Sequence, residues 1–288
     1  MSLRVRCGAC LALLLSLALA GTAGAAAGAW AENAEARARL VADPSGLGLE
    51  FELQPGWHVY WKNSGDAGYP PRIDFSATSG IRDARLLFPA PRRFELGAGL
   101  VSFGYADGVV YPIAAEIAPG AGRPLAVRAR LDYLVCREEC IPHRADLALQ
   151  LPPKETAGDA ASARLAAARA ALPLAAGGAP EAPQVSLRVA PAADGVWELE
   201  LTAAGGAWRA AAPDLFFDNH PLFALARPQL QASKSGLRFR VRLQRLDLTR
   251  PLPAAADFAW TLTGFERSVA GGPAPVALTG TASVALPH

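Results

Sequence analysis

Apolar and polar residues alternate with a period of two over much of the chain. Leu47-Gly-Leu-Glu-Phe-Glu-Leu53 is the plainest stretch, and that period places successive side chains on opposite faces of a half-buried strand. Trp57–Trp61, Ala84–Phe88, Val109–Glu116, Leu125–Val135 and Ala145–Leu151 read the same way. Asn63-Ser-Gly-Asp-Ala-Gly-Tyr-Pro-Pro71 and Phe94-Glu-Leu-Gly-Ala-Gly99 lie between them and are expected to be loops. Many short strands with Gly/Pro turns predict a sandwich or barrel from about Arg39 to Pro152.

The pattern breaks at Pro152-Pro153. Asp159–Leu172 is alanine-rich and suits one short helix, whereas Pro173–Pro183 carries neither helix nor strand periodicity. A stretch of about 30 residues without strand pattern is uncommon inside one compact domain, which places a boundary over residues 153–184. Strand patterns resume at Gln184–Ala190, Val196–Ala203, Leu237–Leu243, Phe258–Thr263 and Val276–Leu286. The expected fold class is all-β: two immunoglobulin-like β-sandwich domains, residues 32–152 and 185–288, joined by an Ala/Pro-rich linker with a short helix.

The first 31 residues read as a secretory signal peptide. Arg4 and Arg6 precede an apolar run from Cys10 to Ala20, too short to span a bilayer, and small residues follow up to Ala29-Trp30-Ala31. Cleavage after Ala23-Gly24-Ala25 is the alternative, and neither Cys7 nor Cys10 sits in a lipoprotein box. The expected location is therefore the periplasm of a Gram-negative bacterium, with no membrane span of its own. Removing this segment takes both excess cations with it: the chain has 28 Lys+Arg and 26 Asp+Glu, so residues 32–288 carry 26 of each. That balance argues against a nucleic-acid partner.

Of four cysteines, only Cys136 and Cys140 remain after position 31, and the one Met is the initiator. There is no HExxH, P-loop, GxSxG or dinucleotide fingerprint, so any chemistry is expected at this pair. Alternating runs flank Arg137-Glu138-Glu139, which predicts a β-hairpin with the cysteines facing across its first rung, within disulfide range. Pro142 lacks an N–H, so its strand is expected at an edge, where Pro142 and His143 would meet a partner. Three readings stand. A staple across so short a loop gives only about 2 kcal/mol. Thiol–disulfide exchange needs one attacking thiolate and one resolving thiol, which a close pair supplies. Cys136, Cys140 and His143 would suit copper(I), with His58 or His220 joining only if folding brings them near. Phe103 and Tyr105 are candidates to cover a reactive pair.

Lys62, His58 and Asp66 suggest acid–base chemistry less than a fixed turn, since Asp in a Gly-rich loop commonly bonds backbone. Trp57, Tyr60 and Trp61 read as packing, and Arg238-Phe-Arg-Val-Arg-Leu-Gln-Arg245 as a solvated strand face.

Taken together, Gly56-Trp-His-Val-Tyr-Trp-Lys-Asn-Ser-Gly-Asp66-Ala-Gly-Tyr-Pro-Pro71, Phe88-Pro-Ala-Pro-Arg-Arg-Phe94, Phe103-Gly-Tyr105 and Leu134-Val-Cys136-Arg-Glu-Glu-Cys140-Ile-Pro142 resemble the N-terminal periplasmic region of the DsbD/ScsB thiol:disulfide interchange proteins. Ala212-Pro-Asp-Leu-Phe-Phe217 and Ala226-Arg-Pro-Gln229 look like the second sandwich of the ScsB type. The resemblance implies a redox pair at Cys136 and Cys140, with Cys140 forming the mixed disulfide and Cys136 resolving it. It implies no organic cofactor, thioredoxin-like periplasmic partners and a link to copper tolerance. The sequence ends at His288 without the family's transporter or thioredoxin-like domain, so a membrane electron transporter of the DsbD/CcdA type is expected from a separate chain. The cysteine spacing follows the ScsB form, and the acidic residues that neighbour the DsbD pair have no clear counterpart.

Overall fold

The computed structural model describes residues 27–118, 125–151, 160–192, 196–233, 236–270 and 272–287. The expected signal peptide, apart from residues 27–31, lies outside them, as do Cys7, Cys10 and the start of the linker. Among the described residues eleven strands form the first unit: β1 (Ala31–Glu32), β2 (Ala36–Asp43), β3 (Gly46–Leu53), β4 (His58–Gly65), β5 (Arg72–Asp74), β6 (Ile81–Leu86), β7 (Arg92–Gly97), β8 (Leu100–Ala106), β9 (Gly108–Ile117), β10 (Leu125–Cys136) and β11 (Cys140–Leu151). They make two sheets, in the orders β1-β2-β3-β9-β6 and β11-β10-β4-β8-β7, with β5 also on β10. The inward residues of the alternating strands, among them Leu40, Leu49, Phe51, Val59, Trp61, Leu131 and Val135, close one core between the sheets.

The helix α1 (Ala160–Ala170) follows, within the stretch expected to be helical. It is docked rather than free. Leu165 and Ala161 pack with Val41 on the outer side of the first sheet, Arg164 pairs with the buried Glu50, and Arg169 Nη2 donates to the Leu47 carbonyl at 3.0 Å. The supposed linker also contains β12 (Leu174–Ala175), which pairs in parallel with the last strand of the second unit. The connection is thus divided between the two bodies: Ala161 and Leu165 pack on the first unit, and Leu174, Ala179 and Ala182 on the second.

The second unit contains β13 (Gln184–Pro191), β14 (Trp197–Ala204), β15 (Arg209–Phe217), β16 (Phe223–Leu225), β17 (Gln229–Ser233), β18 (Gly236–Arg245), β19 (Ala255–Val269) and β20 (Gly272–Ala285). These and β12 form sheets ordered β12-β20-β19-β15 and β13-β14-β18-β16, with β17 also on β18. The molecule is all-β, two sandwiches, as the periodicity predicts. The Arg-rich face of β18, expected to be solvated, is part-buried: its arginines lie beside Glu198 and the buried Glu200 in a ladder of opposite charges.

Two segments correct the sequence reading. Phe94–Gly99, expected to be a loop, lies mostly within the β7/β8 hairpin, which turns between Gly97 and Leu100. The glycines that suggested a loop belong to its tip. Strand β2 begins before the expected Arg39, at Ala36, with the alanines of Ala36-Arg-Ala-Arg39 buried and the arginines half-buried.

Residues just inside the expected signal peptide are part of the sheet. Ala31 pairs with Ala38, Ala27 bridges to Val41, and the guanidinium groups of Arg37 and Arg39 lie 4.5 and 4.1 Å from the Trp30 ring. A chain beginning at Ala26 should therefore exceed one beginning at Glu32 in urea stability by about 1–2 kcal/mol, two part-buried cation–π contacts and an edge pairing being lost. Intact mass of the exported protein should show cleavage after Ala25. Equal stabilities, or a mature start at Glu32, would contradict this.

Candidate functional site

β10 and β11 pair from Leu125↔Leu151 to Cys136↔Cys140, with Arg137–Glu139 as the tip. Cys136 and Cys140 are joined by a disulfide with Cα atoms 4.2 Å apart, at the rung where the sequence places them. Tyr133 and Val135 point into the sandwich core, so Leu134 and Cys136 point outward, into a small cluster with Tyr60. The two cysteines differ sharply: Cys136 is 1 % exposed, whereas Cys140 is an exposed residue.

The neighbouring strand β4 supplies the rest. His58 is the ladder partner of Cys136, and His58 and Tyr60 share its outward face while Val59 and Trp61 enter the core. The Tyr60 hydroxyl donates to Cys136 Sγ at 2.5 Å and lies 3.3 Å from Cys140 Sγ. Burial pushes the Tyr60 phenol up to about 12, so it remains a protonated donor throughout the neutral range. His58 stacks on Phe94 at 4.6 Å, its Nε2 lies 2.9 Å from Ser102 Oγ, and burial pulls its pKa down to about 4. The imidazole beside the disulfide is therefore neutral at pH 7.

The Gly-rich loop after β4 exists to cover this tyrosine. Gly68 has a φ of +85°, and a Cβ there would lie 2.2 Å from Tyr60 Cζ; only glycine lets the loop lie on the ring. Tyr69 then packs against Tyr60, Leu134 and Cys136. Ser64 Oγ donates to the Gly68 carbonyl at 2.9 Å, and the Asp66 carboxylate accepts the Val101 N–H at 2.8 Å. Asp66 thus fixes backbone, in keeping with the sequence reading, although the Asx turn itself belongs to Asn63, which accepts the Gly65 N–H at 2.9 Å. From the other side, Gly104 sits opposite Tyr60, where a Cβ would lie 2.0 Å from the Val59 carbonyl oxygen.

Phe103 and Tyr105, expected to cover the pair, do not reach it. The register Val59↔Tyr105 and Tyr60↔Gly104 turns both rings to the other face of the sheet, where Phe103 meets Phe216 at 5.2 Å and Tyr105 donates to the Pro89 carbonyl at 2.7 Å. On the disulfide face the aromatic neighbours are instead Tyr60, Tyr69, His58 and Phe94. Pro142 is exposed, on the edge strand β11 and on the same face as Cys140. His143, one residue on, faces the other way: it pairs with Tyr133 across the ladder, and its Nε2 lies 3.1 Å from Glu35. The proposed Cys136–Cys140–His143 copper set is therefore not assembled, and among the described residues no three His, Cys, Asp or Glu side chains cluster as metal ligands would. Folding brings His58 beside Cys136, while His220 stacks on Phe258 in the second unit.

Tyr60 is the residue that sequence reasoning missed as a site component. Its only signal is parity with His58 in Trp57–Trp61, and that says which face it shares but not which strand lies alongside. A cleft of about 520 Å³ lies elsewhere, between the two units, lined by Asn63, Arg93, Phe103, Phe216 and Arg227 among others.

Residues 29–152 match the family described as the N-terminal domain of thiol:disulfide interchange protein DsbD. The N-terminal periplasmic domain of ScsB from Proteus mirabilis has a similar fold, with a TM-score of 0.70 at 22 % identity over 91 % of this chain and 99 % of that one. No curated protein matches the chain. Among the described residues no helix is long and apolar enough to cross a membrane.

The depressed pKa of His58 has a sign that can be measured. The unfolded chain holds a proton on His58 below an ordinary 6.5, the folded protein only below about 4. Between those values the unfolded state binds more protons, so the stability present above pH 6.5 is lost as the pH falls towards 4. Urea unfolding at pH 7 and at pH 4.5 should show the unaltered protein losing roughly 2–3 kcal/mol more than His58→Gln, which keeps a neutral polar group beside Ser102. Equal losses in the two proteins would contradict a buried neutral imidazole.

Proposed function

We propose that this protein, whose residues 29–152 match the DsbD N-terminal family, exchanges disulfides with thioredoxin-like periplasmic partners through Cys136 and Cys140. The observation that carries this reading is the asymmetry of the two cysteines, one exposed at a strand edge and one buried against a phenol.

In the oxidised protein a partner thiolate attacks Sγ of Cys140, the exposed cysteine. The Cys136–Cys140 bond breaks, and Cys136 leaves as a thiolate towards the Tyr60 hydroxyl, which donates to the sulfur that gains charge. The partner's second thiolate then attacks the mixed disulfide. The partner departs oxidised, and this protein holds two thiols, having gained two electrons and two protons. Towards an oxidised substrate the order runs backwards: the Cys140 thiolate attacks a substrate sulfur, and Cys136 attacks Cys140 to release the substrate reduced. Pro142, exposed beside Cys140 on the edge strand, belongs to the surface a partner meets. Electrons would reach the pair from a membrane transporter of the DsbD/CcdA type on a separate chain, by way of a thioredoxin-like domain.

A staple reading predicts a different potential. Titration against a thiol buffer, counting trapped thiols by mass, should give a reversible two-electron transition between about −270 and −120 mV; a value below about −300 mV would return the pair to a structural role. Cys136→Ser should accumulate a mixed disulfide with a thioredoxin-like partner and Cys140→Ser should not, and equal trapping by both would overturn the roles. Tyr60→Phe removes a donor to the leaving sulfur, so its equilibrium with dithiothreitol should move towards the disulfide by about tenfold. An unchanged constant would exclude the phenol from the chemistry.

A further inference from the structure

The second sandwich contains no cysteine, yet it is wedged beneath the redox sheet. Successive residues of β15 are divided between two cores: Leu215 and Phe217 enter the second, and Phe216 between them enters the first. There its ring meets Trp61 at 5.9 Å and Phe103 at 5.2 Å, both edge to face. The Arg93 guanidinium lies 4.7 Å from the Phe103 ring and 4.9 Å from that of Phe216. It also makes a fork to the Asp214 carboxylate at 3.1 and 3.0 Å, and donates to the Leu215 carbonyl at 3.1 Å. Arg93 is only 8 % exposed, so this charge depends on a partner contributed by the other unit.

The same strand carries both contacts. The β4–β8 ladder is regular from His58 to Tyr60, then slips before Gly65. The bulged residues are those that grip the second unit: Lys62 Nζ reaches Asp218 at 2.8 Å, and Asn63 Nδ2 donates to the Phe217 carbonyl at 2.8 Å. Trp61, pressed by Phe216 from inside, is the chain neighbour of Tyr60, which bonds the buried sulfur on the outside.

We propose that the second sandwich is a brace for the redox pair, with Phe216, Asp214 and Arg93 as positioning residues that hold β4 so that Tyr60 stays on Cys136. The proposal rests on the exchange reading above and assigns a role to the unit that lacks cysteines. Relaxing the wedge should loosen the Tyr60 donation without touching either sulfur. Its effect on the redox equilibrium should therefore have the same sign as that of Tyr60→Phe.

The test uses the full chain and its equilibrium constant with dithiothreitol, a readout that a purely structural contact would leave alone. Phe216→Ala and Asp214→Asn should each move the equilibrium towards the disulfide by about three- to tenfold. Combined with Tyr60→Phe, neither should add a further shift, because all act through one hydrogen bond. Phe216→Leu, which keeps an apolar knob, should restore most of the original value and serves with Asp214→Asn if the alanine variant does not fold. Constants within twofold of the unaltered protein, or shifts fully additive with Tyr60→Phe, would overturn the brace while leaving exchange intact. An unaltered protein that cannot be reversibly reduced would overturn both.

Discussion

One strand, β4, is held from both faces, and the site depends on that constraint. A strand has no choice about which residues share a face: His58 and Tyr60 must go one way, Val59 and Trp61 the other. The outward pair abuts the disulfide, and the inward pair fills the core, where Phe216 arrives from the second unit. A one-residue slip would place valine and tryptophan beside Cys136 and bury tyrosine under the sheet. Gly68 and Gly104 report the same restriction from either side, since both leave out a Cβ where the backbone of β4 or the ring it carries already occupies the space.

The parts of the fold that were legible in the sequence are those in which period and contrast coincide. Leu125–Val135 and Ala145–Leu151 alternate cleanly around a charged tip, so the hairpin and the opposed cysteines followed from local pattern alone. The β7/β8 hairpin was hidden because its short turn is rich in glycine, which punctuates loops and strand corners alike. The covering residues were misassigned for a different reason. Phe103 and Tyr105 flank a glycine like a hinge, but their face is set by pairing with β4, a contact between residues more than forty positions apart. Alternation within one strand fixes which residues share a face; it cannot name the sheet neighbour. The same limit explains His143. Its distance from Cys140 in sequence suits a ligand set, whereas an odd separation along a strand sends it to the opposite face, towards Glu35.

The interface between the two units has a chemistry that ordinary apolar contact lacks. A phenylalanine wedge alone would tolerate sliding, since dispersion is undirected. The Arg93–Asp214 fork is directional, and the cation–π contacts with Phe103 and Phe216 add a second restriction on where the guanidinium sits. Lys62 and Asn63 add further polar contacts from the bulge in β4. These contacts specify one arrangement of the sandwiches, in contrast to the mobile relation expected of domains joined by a linker. A similar overall arrangement recurs at 22 % identity across nearly the full length of the ScsB domain, so the shape does not require the same sequence in detail.

Where the disulfide sits decides what breaking it would cost. Neither large core includes Cys136 or Cys140; the buried sulfur belongs to a small outer cluster with Tyr60 and Leu134. The hairpin it closes is already paired rung by rung along both strands, and a bridge across so short a loop contributes only about 2 kcal/mol of chain entropy. Reduction would therefore remove little that holds the sandwich together, because the ladder that opposes the two cysteines does not depend on the bond. That is the physical requirement for a carrier of electron pairs: both redox states must share one fold, so that the free energy of exchange is spent on sulfur chemistry and not on refolding. Placed in the core, tying sheet to sheet, the same bond would stabilise more and exchange less readily. Its position at an edge, with one cysteine exposed and the other shielded by a protonated phenol, is the arrangement that the proposed exchange requires.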